Sequence, residues 1–271
     1  MKSLSKIYFW IVMAFLYMPI GVLIFFSFNE SKSRNVFTGF TLDWYRKLFS
    51  NSIILDSLKT TLIIAVVSTI FAVILGTAAA IGINAMGKWS RAAIMNITYL
   101  PIINPEIVTG VSLMLLFVFM KSQMNIPIEF GYTTLILAHI TFNVPYVILN
   151  VLPKLRQADR FVYEAALDLG CTPFKAFRKV VLPEIMPGVL SGFLIAFTYS
   201  LDDFIISYFN AGATAQTLPI TIYSMTRRKV SPEINALSTI IFAVVLATLL
   251  IYNFAGSRRE KLMRKKEVAE R

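Results

Sequence analysis

The amino-acid sequence predicts an all-α membrane protein with six transmembrane helices. Hydrophobic residues make up 56% of its 271 positions, and a mean hydropathy of +0.68 is too high for a soluble domain of this size. A helix needs roughly 20 mostly apolar residues to cross the hydrocarbon core of a bilayer, and six stretches meet that requirement. They are too long and too uniformly apolar to be strands of a membrane barrel. We therefore expect one transmembrane domain that covers residues 1–271.

The six predicted spans are not equally regular. Pro101 and Pro105 interrupt the third span and Pro187 interrupts the fifth, because proline lacks an N–H group and clashes with the preceding turn. The first span resembles a signal peptide, but its apolar run is too long and no small-residue cleavage site follows it, so we expect an uncleaved anchor. The predicted spans are residues 7–28, 60–85, 92–120, 132–152, 181–209 and 236–256.

The distribution of lysine and arginine predicts the orientation of these spans. Cytoplasmic segments of membrane proteins carry the excess of positive charge. One set of alternating segments, which includes both termini and the loop at residues 153–180, holds 17 of the 26 basic residues, and the opposite set holds nine. Both termini and this loop are therefore placed in the cytoplasm, in agreement with an even number of spans. We expect a multi-pass protein of the cell (inner, cytoplasmic) membrane.

The net charge of +11 indicates interaction with the lipid bilayer and not with nucleic acid. The segment after Gly256 alone contributes +4, and such charge orients the chain and attracts anionic headgroups. The single cysteine, Cys171, excludes an internal disulfide and belongs to no metal-site spacing. The sequence also has no His/Asp/Glu cluster with catalytic spacing. We therefore expect no catalytic residues, no metal site and no enzyme activity.

The polar loop before the fifth span is predicted to hold two short helices joined by a sharp turn. A helix is expected over residues 160–169, ended by Gly170 in a left-handed conformation. Thr172-Pro173 is typical of an N-cap followed by a first-turn proline, which starts a second helix. Glu164 lies in the first turns, where its charge suits the helix dipole, so it has either this local role or a partner contact. The apolar residues of the first helix share one face: Phe161, Ala165 and Leu169.

The sequence of this loop matches a known signature. It reads Glu164-Ala165-Ala166-Leu167-Asp168-Leu169-Gly170 and closes with Val181-Leu182-Pro183. The pattern resembles the permease subunits of binding-protein-dependent type I ABC importers, with Val181 where isoleucine is more usual. The resemblance implies the fold of those permeases and a loop that docks into a groove of a separate ATPase subunit and transmits its closure. The implied coupling residues are Glu164, Ala165, Ala166, Asp168, Gly170, Leu182 and Pro183.

The resemblance also implies an assembly in which this chain hydrolyses no ATP itself. Its partners would be two ATPase subunits, a second homologous permease subunit and an external substrate-binding protein. ATP and magnesium would be bound by the ATPase subunits, and this chain would bind no cofactor. A near match to a phosphate-binding loop from Gly82 to Lys88 fails, because Trp89 replaces the Ser or Thr that would hold magnesium.

Further stretches resemble the spermidine/putrescine permeases within this family. The resemblance covers nearly the whole chain, although relatives for other solutes share parts of it. It implies that the chain translocates polyamines into the cytoplasm. The stretches are Leu42-Asp43-Trp44-Tyr45, His139-Ile140-Thr141-Phe142, Ser200-Leu201-Asp202-Asp203 and residues 218–225 and 231–237.

Acidic residues inside the predicted spans are candidates for the path of a cationic solute. An acid at the centre of a membrane helix costs roughly 2.5–3.5 kcal/mol. Asp202 lies about 28 Å along a helix that starts near Pro183, which places it and Asp203 towards the external face. Either the two aspartates contact interfacial water, or at least one of them faces a central cavity. Because adjacent helical residues point about 100° apart, the two side chains cannot line one narrow path equally. Glu106, at the Pro105 break, is the other acidic candidate.

Aromatic rings complete the predicted path. A primary ammonium group binds carboxylates and the faces of aromatic rings. His139, the only histidine, is expected to be a hydrogen-bonded packing residue, and Gly188 with Gly192 a pair that allows close helix packing. The candidate path rings are Tyr146, Tyr199 and Tyr208, with Phe142 and Phe204 beside them.

Two alternative functions stay open from the sequence. One is an ABC permease for an anion such as sulfate or molybdate, against which acids facing a cavity count, because like charges repel. The other is an ion-coupled secondary transporter that uses Asp202 and Glu106 as proton or sodium sites. Such transporters often contain inverted repeats, and no convincing repeat is found in this sequence. Uptake driven by ATP after collapse of the ion gradients would separate the two mechanisms.

Overall fold

The computed structural model describes residues 2–31, 36–228, 232–244 and 246–247. These residues form two compact units: one lies within Met1–Ser52 and Ser224–Arg271, and the other is Ile53–Tyr223. Both units are helical, and the β-pairing in the described residues is one isolated bridge between Asn29 and Phe40. The predicted all-α fold class is thereby confirmed.

The helices are numbered here in chain order. The described residues form α1 (Lys2–Ser27), α2 (Asp43–Ser50), α3 (Ser52–Ala85), α4 (Lys88–Ile103), α5 (Glu106–Ser122), α6 (Tyr132–Gln157), α7 (Arg160–Asp168), α8 (Pro173–Ala176), α9 (Leu182–Asp202), α10 (Ile205–Asn210), α11 (Leu218–Arg228) and α12 (Pro232–Val244). A π-helical turn, Phe177–Val181, joins α8 to α9. Four runs among these residues are long and apolar enough to cross a membrane: most of α1, α3, α6 and the continuous run Pro173–Asp202.

In the first unit, hydrogen bonds fasten α2 to the end of α1. The indole Nε1 of Trp44 donates to the backbone oxygen of Asn29 at 2.7 Å, and the Trp44 side chain is buried. The side-chain amide of Asn29 holds the connecting loop, because it donates to Val36 O at 2.9 Å and accepts from Thr38 N at 3.0 Å. The short helix α2 is thus held against the end of a predicted span.

One core cluster of the second unit is formed by α3, α6 and α9, of which α6 and α9 pack closely. Glycine allows this approach: a Cβ atom at Gly188 would lie 2.7 Å from Asn150 O, and one at Gly192 would lie 3.3 Å from Val147 Cα. These two glycines therefore serve packing within this chain. The buried residues of the core are Ala80, Ile83, Val147, Ile148, Val151, Leu152, Leu155, Ile185 and Ala196.

The third predicted span, residues 92–120, is not one straight helix. It divides into α4 and α5, whose axes are bent by 104°. Pro105 disfavours a helical conformation in the residue before it, and Asn104 accordingly has an extended ψ of 142°. The interruption predicted from Pro105 is found at that position, whereas the size of the bend was not predicted.

The fifth predicted span, residues 181–209, ends earlier than expected. Helix α9 stops at Asp202, the backbone of Asp203 is extended with ψ of 120°, and α10 begins at Ile205. The physical reason is that the Asp203 carboxylate accepts backbone N–H groups of the following turn, which competes with continuation of the helix. Asp202 is therefore the last residue of α9, and Asp203 lies in the break between α9 and α10.

The remaining span predictions differ mainly at their ends. Helix α3 begins at Ser52 and not at residue 60, and α6 continues to Gln157 beyond the predicted end at residue 152. With the bent pair counted as one, the described residues hold five candidate spans. For the sixth predicted span, residues 236–256, the structure gives α12, while residues 245 and 248–256 and the basic segment after them lie outside the described residues. The six-span topology with cytoplasmic termini stays a prediction.

Candidate functional site

The loop between α6 and α9 folds as two short helices around a defined turn. Asp159 caps α7, because its carboxylate accepts the N–H of Phe161 at 2.9 Å. Gly170 follows α7 with φ of +82°, a left-handed conformation that glycine adopts at little cost. Thr172 caps α8 by accepting the N–H of Lys175 at 3.4 Å. The helix, turn and N-cap expected from the sequence are present, whereas the cap at Asp159 was not expected.

The surface of this loop combines an acid with exposed apolar side chains. Glu164 is exposed in the second turn of α7, and the N-cap of this helix is Asp159. Of its neighbours in the predicted coupling set, Ala165, Asp168 and Gly170 are also exposed, and Ala166 is half-buried. Exposed apolar surface of this kind marks docking sites. We call the following set the coupling face: Phe161 (76% exposed), Val162 (47%), Glu164, Leu169 (86%) and Phe174 (74%).

The loop is fastened to the helical core at both of its ends. The side chain of Glu184 in α9 accepts the backbone N–H of Asp159 at 3.3 Å, which ties the start of α7 to the start of α9. Ala176 of α8 is fully buried, and the π-helical turn after it continues into Leu182-Pro183, the first residues of α9. Leu182 packs against the core cluster. Helices α7 and α8 are therefore joined to α9 both through the chain and through these contacts.

One group of predicted path residues forms around Tyr146. The Tyr146 ring centroid lies 4.7 Å from that of Tyr199 and 5.3 Å from that of Phe142. Glu106, the first residue of α5 after the bend, is exposed and close enough to Tyr146 for electrostatic interaction with its phenol. Tyr199 is 42% exposed. Carboxylates and aromatic ring faces are the groups that bind an ammonium ion.

Asp202 extends this group towards the end of α9. It follows Tyr199 by three residues, which places the two side chains on the same face of the helix, and it is exposed. Neither Asp202 nor Glu106 forms an ion pair with another described residue. Both carboxylates are therefore accessible in this chain. We call this set the acid–aromatic group: Glu106, Tyr146, Tyr199 and Asp202.

Asp203 lies next to Asp202 but is turned into the protein. Its side chain is only 4% exposed. Its Oδ1 accepts the N–H of Ile206 at 3.1 Å, and its Oδ2 accepts the N–H of Ser207 at 2.7 Å. These bonds satisfy N–H groups in the first turn of α10, which would otherwise have no partner. The geometry thus gives this predicted path residue a structural role.

Buried polar side chains surround Asp203 at the break between α9 and α10. His139 Nε2 lies 3.5 Å from Asp203 Oδ2 and 3.2 Å from Ser207 Oγ, and His139 Nδ1 lies 3.2 Å from Ser200 Oγ. The sequence predicts a hydrogen-bonded His139 but does not reveal its partners, because they come from distant parts of the chain. We call this set the break cluster: Ser68, His139, Asn143, Ser200, Asp203 and Ser207.

Tyr208 belongs to a second aromatic group and not to the one around Tyr146. It is 52% exposed and lies on α10. The second group consists of Phe204, Tyr208 and Tyr223, with ring centroids 4.6–6.4 Å apart.

A hydrogen bond joins α10 to α5. The side-chain amide of Asn210, on α10, donates to Gly110 O of α5 at 3.2 Å. Because Gly110 follows Glu106 by about one helical turn, this contact connects α10 to the part of α5 that carries Glu106.

Metal ligation is not a feature of these sites. Within the part of the chain that the structure describes, no group of three or more His, Cys, Asp or Glu side chains is arranged to hold a metal ion. The described part of the second unit thus presents three defined sets of side chains: the coupling face, the acid–aromatic group and the break cluster.

Known proteins are similar to this chain along most of its length. Residues 72–265 match the family described as the binding-protein-dependent transport system inner membrane component. The putrescine transport system permease protein PotI of Escherichia coli strain K12 is 41% identical over 249 residues, which cover 91% of this chain and 88% of that protein. The spermidine/putrescine transport system permease protein PotC of the same strain is 36% identical over 239 residues, with 88% of each chain covered.

Solved structures share the fold. A chain from a bacterial ABC transporter involved in the import of alginate, an acidic polysaccharide, has a TM-score of 0.71 and 20% identity, and the match covers 95% of this chain and 94% of that one. A chain from the MetNI methionine ABC transporter has a TM-score of 0.55 and 22% identity, with 76% and 93% covered. The chain belongs to the binding-protein-dependent transport system inner membrane components, the permeases of ABC importers, and is a multi-pass membrane transport protein and not an enzyme.

Proposed function

We propose that this permease carries polyamines, putrescine or spermidine, across the inner membrane into the cytoplasm. The observation that carries the proposal is the acid–aromatic group, in which the exposed carboxylates of Glu106 and Asp202 accompany the rings of Tyr146 and Tyr199. Primary ammonium groups bind carboxylates by charge-assisted hydrogen bonds and aromatic faces by cation–π attraction. The 41% and 36% identity to a putrescine and a spermidine/putrescine permease supports the same cargo.

The exposure of the group suits transit and not tight binding. A cation–π contact at an exposed ring contributes about 0.5–1 kcal/mol, and a translocation path must bind its solute weakly enough to release it. An anion such as sulfate or molybdate would meet two carboxylates without a cationic partner, and like charges repel. The polyamine is therefore favoured over the anionic cargo.

The coupling face would connect this path to ATP hydrolysis. Its exposed apolar side chains surround Glu164 and lie before the π-helical turn Phe177–Val181, which continues into α9. Docking of an ATPase subunit at this face would move α7 and α8, and with them α9 and Asp202 at its end. The complete assembly would contain two ATPase subunits that bind ATP and magnesium, a second homologous permease and an external binding protein. This chain would contribute six spans, with both termini and the loop at residues 153–180 in the cytoplasm.

Uptake of labelled spermidine into proteoliposomes that contain the whole assembly tests the cargo, with the ion gradients collapsed and ATP inside. We expect Asp202→Asn and Glu106→Gln each to lower uptake about tenfold or more, because a hydrogen bond to a charged group is worth about 1.5–3 kcal/mol. ATPase activity stimulated by the binding protein should persist. The matched control is Glu129→Gln, which neutralises an exposed acid outside the group. Normal uptake in both variants, or an equal loss in the control, would reject the path.

A further inference from the structure

The imidazole of His139 bridges the break in the fifth span. On one side, Nδ1 lies 3.2 Å from Ser200 Oγ in the last turn of α9. On the other side, Nε2 lies 3.2 Å from Ser207 Oγ in α10 and 3.5 Å from Asp203 Oδ2. The His139 side chain is 1% exposed. One side chain of α6 thus contacts both helical segments and the residue between them.

The Ser200 end of this bridge is fixed by two other helices. Asn143 of α6 donates its side-chain amide to Ser200 Oγ at 2.7 Å, and Ser68 Oγ of α3 lies 3.2 Å from the same oxygen. Both Asn143 and Ser68 are fully buried. Ser200 Oγ accepts a hydrogen bond from the Asn143 amide, and when Ser68 also donates to this oxygen, the Ser200 hydroxyl donates to His139 Nδ1. The histidine tautomer with its proton on Nε2 then satisfies the contacts on both sides of the break.

The other end of the bridge holds the carboxylate that organises α10. Asp203 accepts two backbone N–H groups of α10, one of them from Ser207, and the Ser207 hydroxyl is the hydrogen-bond partner of His139 Nε2 at 3.2 Å. A buried carboxylate is retained at low cost only when its oxygens are hydrogen-bonded. By holding Ser207, the imidazole holds the start of α10 and with it the place of Asp203, whose Oδ2 lies 3.5 Å from Nε2. Because Asp202 is its direct neighbour on the chain, the direction of the Asp202 side chain is fixed as well.

We propose that His139 is a positioning residue for transport: it holds the α9–α10 break in the one geometry that presents Asp202 and withdraws Asp203. The role of Asp202 in cargo transit rests on the proposed function, but the positioning itself does not. An ordinary packing histidine would need only to fill its volume. A positioning histidine must keep its Nε2 contacts, and this difference can be measured.

Two substitutions separate the two ends of the bridge. In His139→Gln the side-chain amide nitrogen reaches approximately the place of Nε2, whereas in His139→Asn it reaches approximately the place of Nδ1. The readout is the rate at which a cationic methanethiosulfonate reagent labels position 202 in an Asp202→Cys, Cys171→Ser background of the whole assembly in proteoliposomes. We expect the Gln variant to keep the labelling rate of the His139 protein. The Asn variant should change it about tenfold, as the loss of one buried hydrogen bond predicts.

A matched control and a transport measurement complete the test. Thr141→Val changes an exposed position of α6 two residues from His139 and should leave the labelling rate unchanged. In a background that retains Asp202, the Gln variant should take up spermidine normally and the Asn variant poorly. Equal labelling rates in the Asn and Gln variants would overturn the proposal. If the Asn variant does not assemble, a labelling rate in the Gln variant that differs from that of the His139 protein would overturn it as well. Labelling that follows the expected order without any spermidine uptake would instead reject the polyamine cargo.

Discussion

The break cluster and the coupling face place polar and apolar side chains in opposite ways. In the break cluster, polar side chains of a membrane-spanning region are buried and bonded to one another, with His139 and Asp203 at 1% and 4% exposure. In the coupling face, apolar side chains of the most polar loop are exposed, with Leu169 at 86% and Phe161 at 76%. Each region contradicts the average character of the sequence around it.

The difference lies in where each region finds its contacts: the break cluster finds most of them within this chain, whereas we propose that the coupling face meets a partner. Buried polar groups are costly unless they are hydrogen-bonded, and the break cluster supplies its bonds from α3, α6, α9 and α10. Exposed apolar side chains gain free energy only when another surface covers them. We therefore expect substitutions in the break cluster to act on folding of the chain, and substitutions in the coupling face to act on assembly.

The largest effect on stability is expected at Asp203. Asp203→Ala removes the acceptor of two α10 N–H groups and leaves His139 Nε2 without its carboxylate. A buried N–H group that loses its acceptor costs about 1–3 kcal/mol, and this substitution leaves two such groups. Thermal unfolding of the detergent-solubilised assembly should show a clear decrease in midpoint, whereas Asp202→Ala, at the exposed neighbouring position, should change the unfolding free energy by less than about 0.5 kcal/mol. Similar midpoints for the two variants would contradict a division of roles between the aspartates.

A smaller effect is expected at Gly188, where α9 packs against α6. A Cβ atom at this position would lie 2.7 Å from Asn150 O and 2.8 Å from Lys154 Cγ. Gly188→Ala should therefore lower the unfolding free energy by about 1–3 kcal/mol through overpacking. Gly82→Ala is the control, since nothing lies within 4 Å of its Cβ position, and a helical alanine is favoured over glycine by up to about 1 kcal/mol. Equal losses at both glycines would mean that α6 and α9 do not approach so closely.

At the start of α7, loss of the N-cap is expected to lower the stability of the helix by about 1 kcal/mol. Asp159→Ala removes the N-cap that accepts the Phe161 N–H at 2.9 Å, and such caps are typically worth that amount. Amide hydrogen exchange over α7 should become faster while exchange in α9 stays unchanged. Asp168→Ala, at the other end of the same helix and exposed, is the control and should not speed exchange. If exchange over α7 does not respond to the loss of Asp159, the cap does not hold this helix.

The smallest effect on folding, and a large one on assembly, is expected at Leu169. Leu169→Ser changes a side chain that is 86% exposed, so the unfolding free energy should change by less than about 0.5 kcal/mol. Copurification and binding titration with the ATPase subunit should show affinity lowered about tenfold, since central apolar anchors typically cost more than 1 kcal/mol when truncated. Trp89→Ser removes an apolar side chain that is 89% exposed outside the coupling face and should leave the affinity unchanged. Equal affinity in the Leu169 variant would remove this residue from the docking surface.

Local features of the loop were predictable from the sequence, whereas the break was not. Gly170 and Thr172 act on backbone groups a few residues away, so the turn and the second cap follow from residue types and spacing alone. The break cluster joins Ser68, His139 and Ser207, which are far apart in sequence, and only the packing of helices brings them together. The sequence likewise indicates that Pro105 breaks the third span but not the 104° bend, because the angle depends on what each half packs against.

The most direct test of this account compares Asp202→Asn with Asp203→Asn in the same assembly. For each variant, spermidine uptake into proteoliposomes and the thermal unfolding midpoint would be measured side by side. We expect Asp202→Asn to lose uptake with an unchanged midpoint, and Asp203→Asn to lower the midpoint, because an amide can replace only one of the two buried acceptor oxygens. Normal uptake in Asp202→Asn, or a full loss of uptake in Asp203→Asn with unchanged stability, would contradict the claim that one aspartate meets the cargo and the other holds the break.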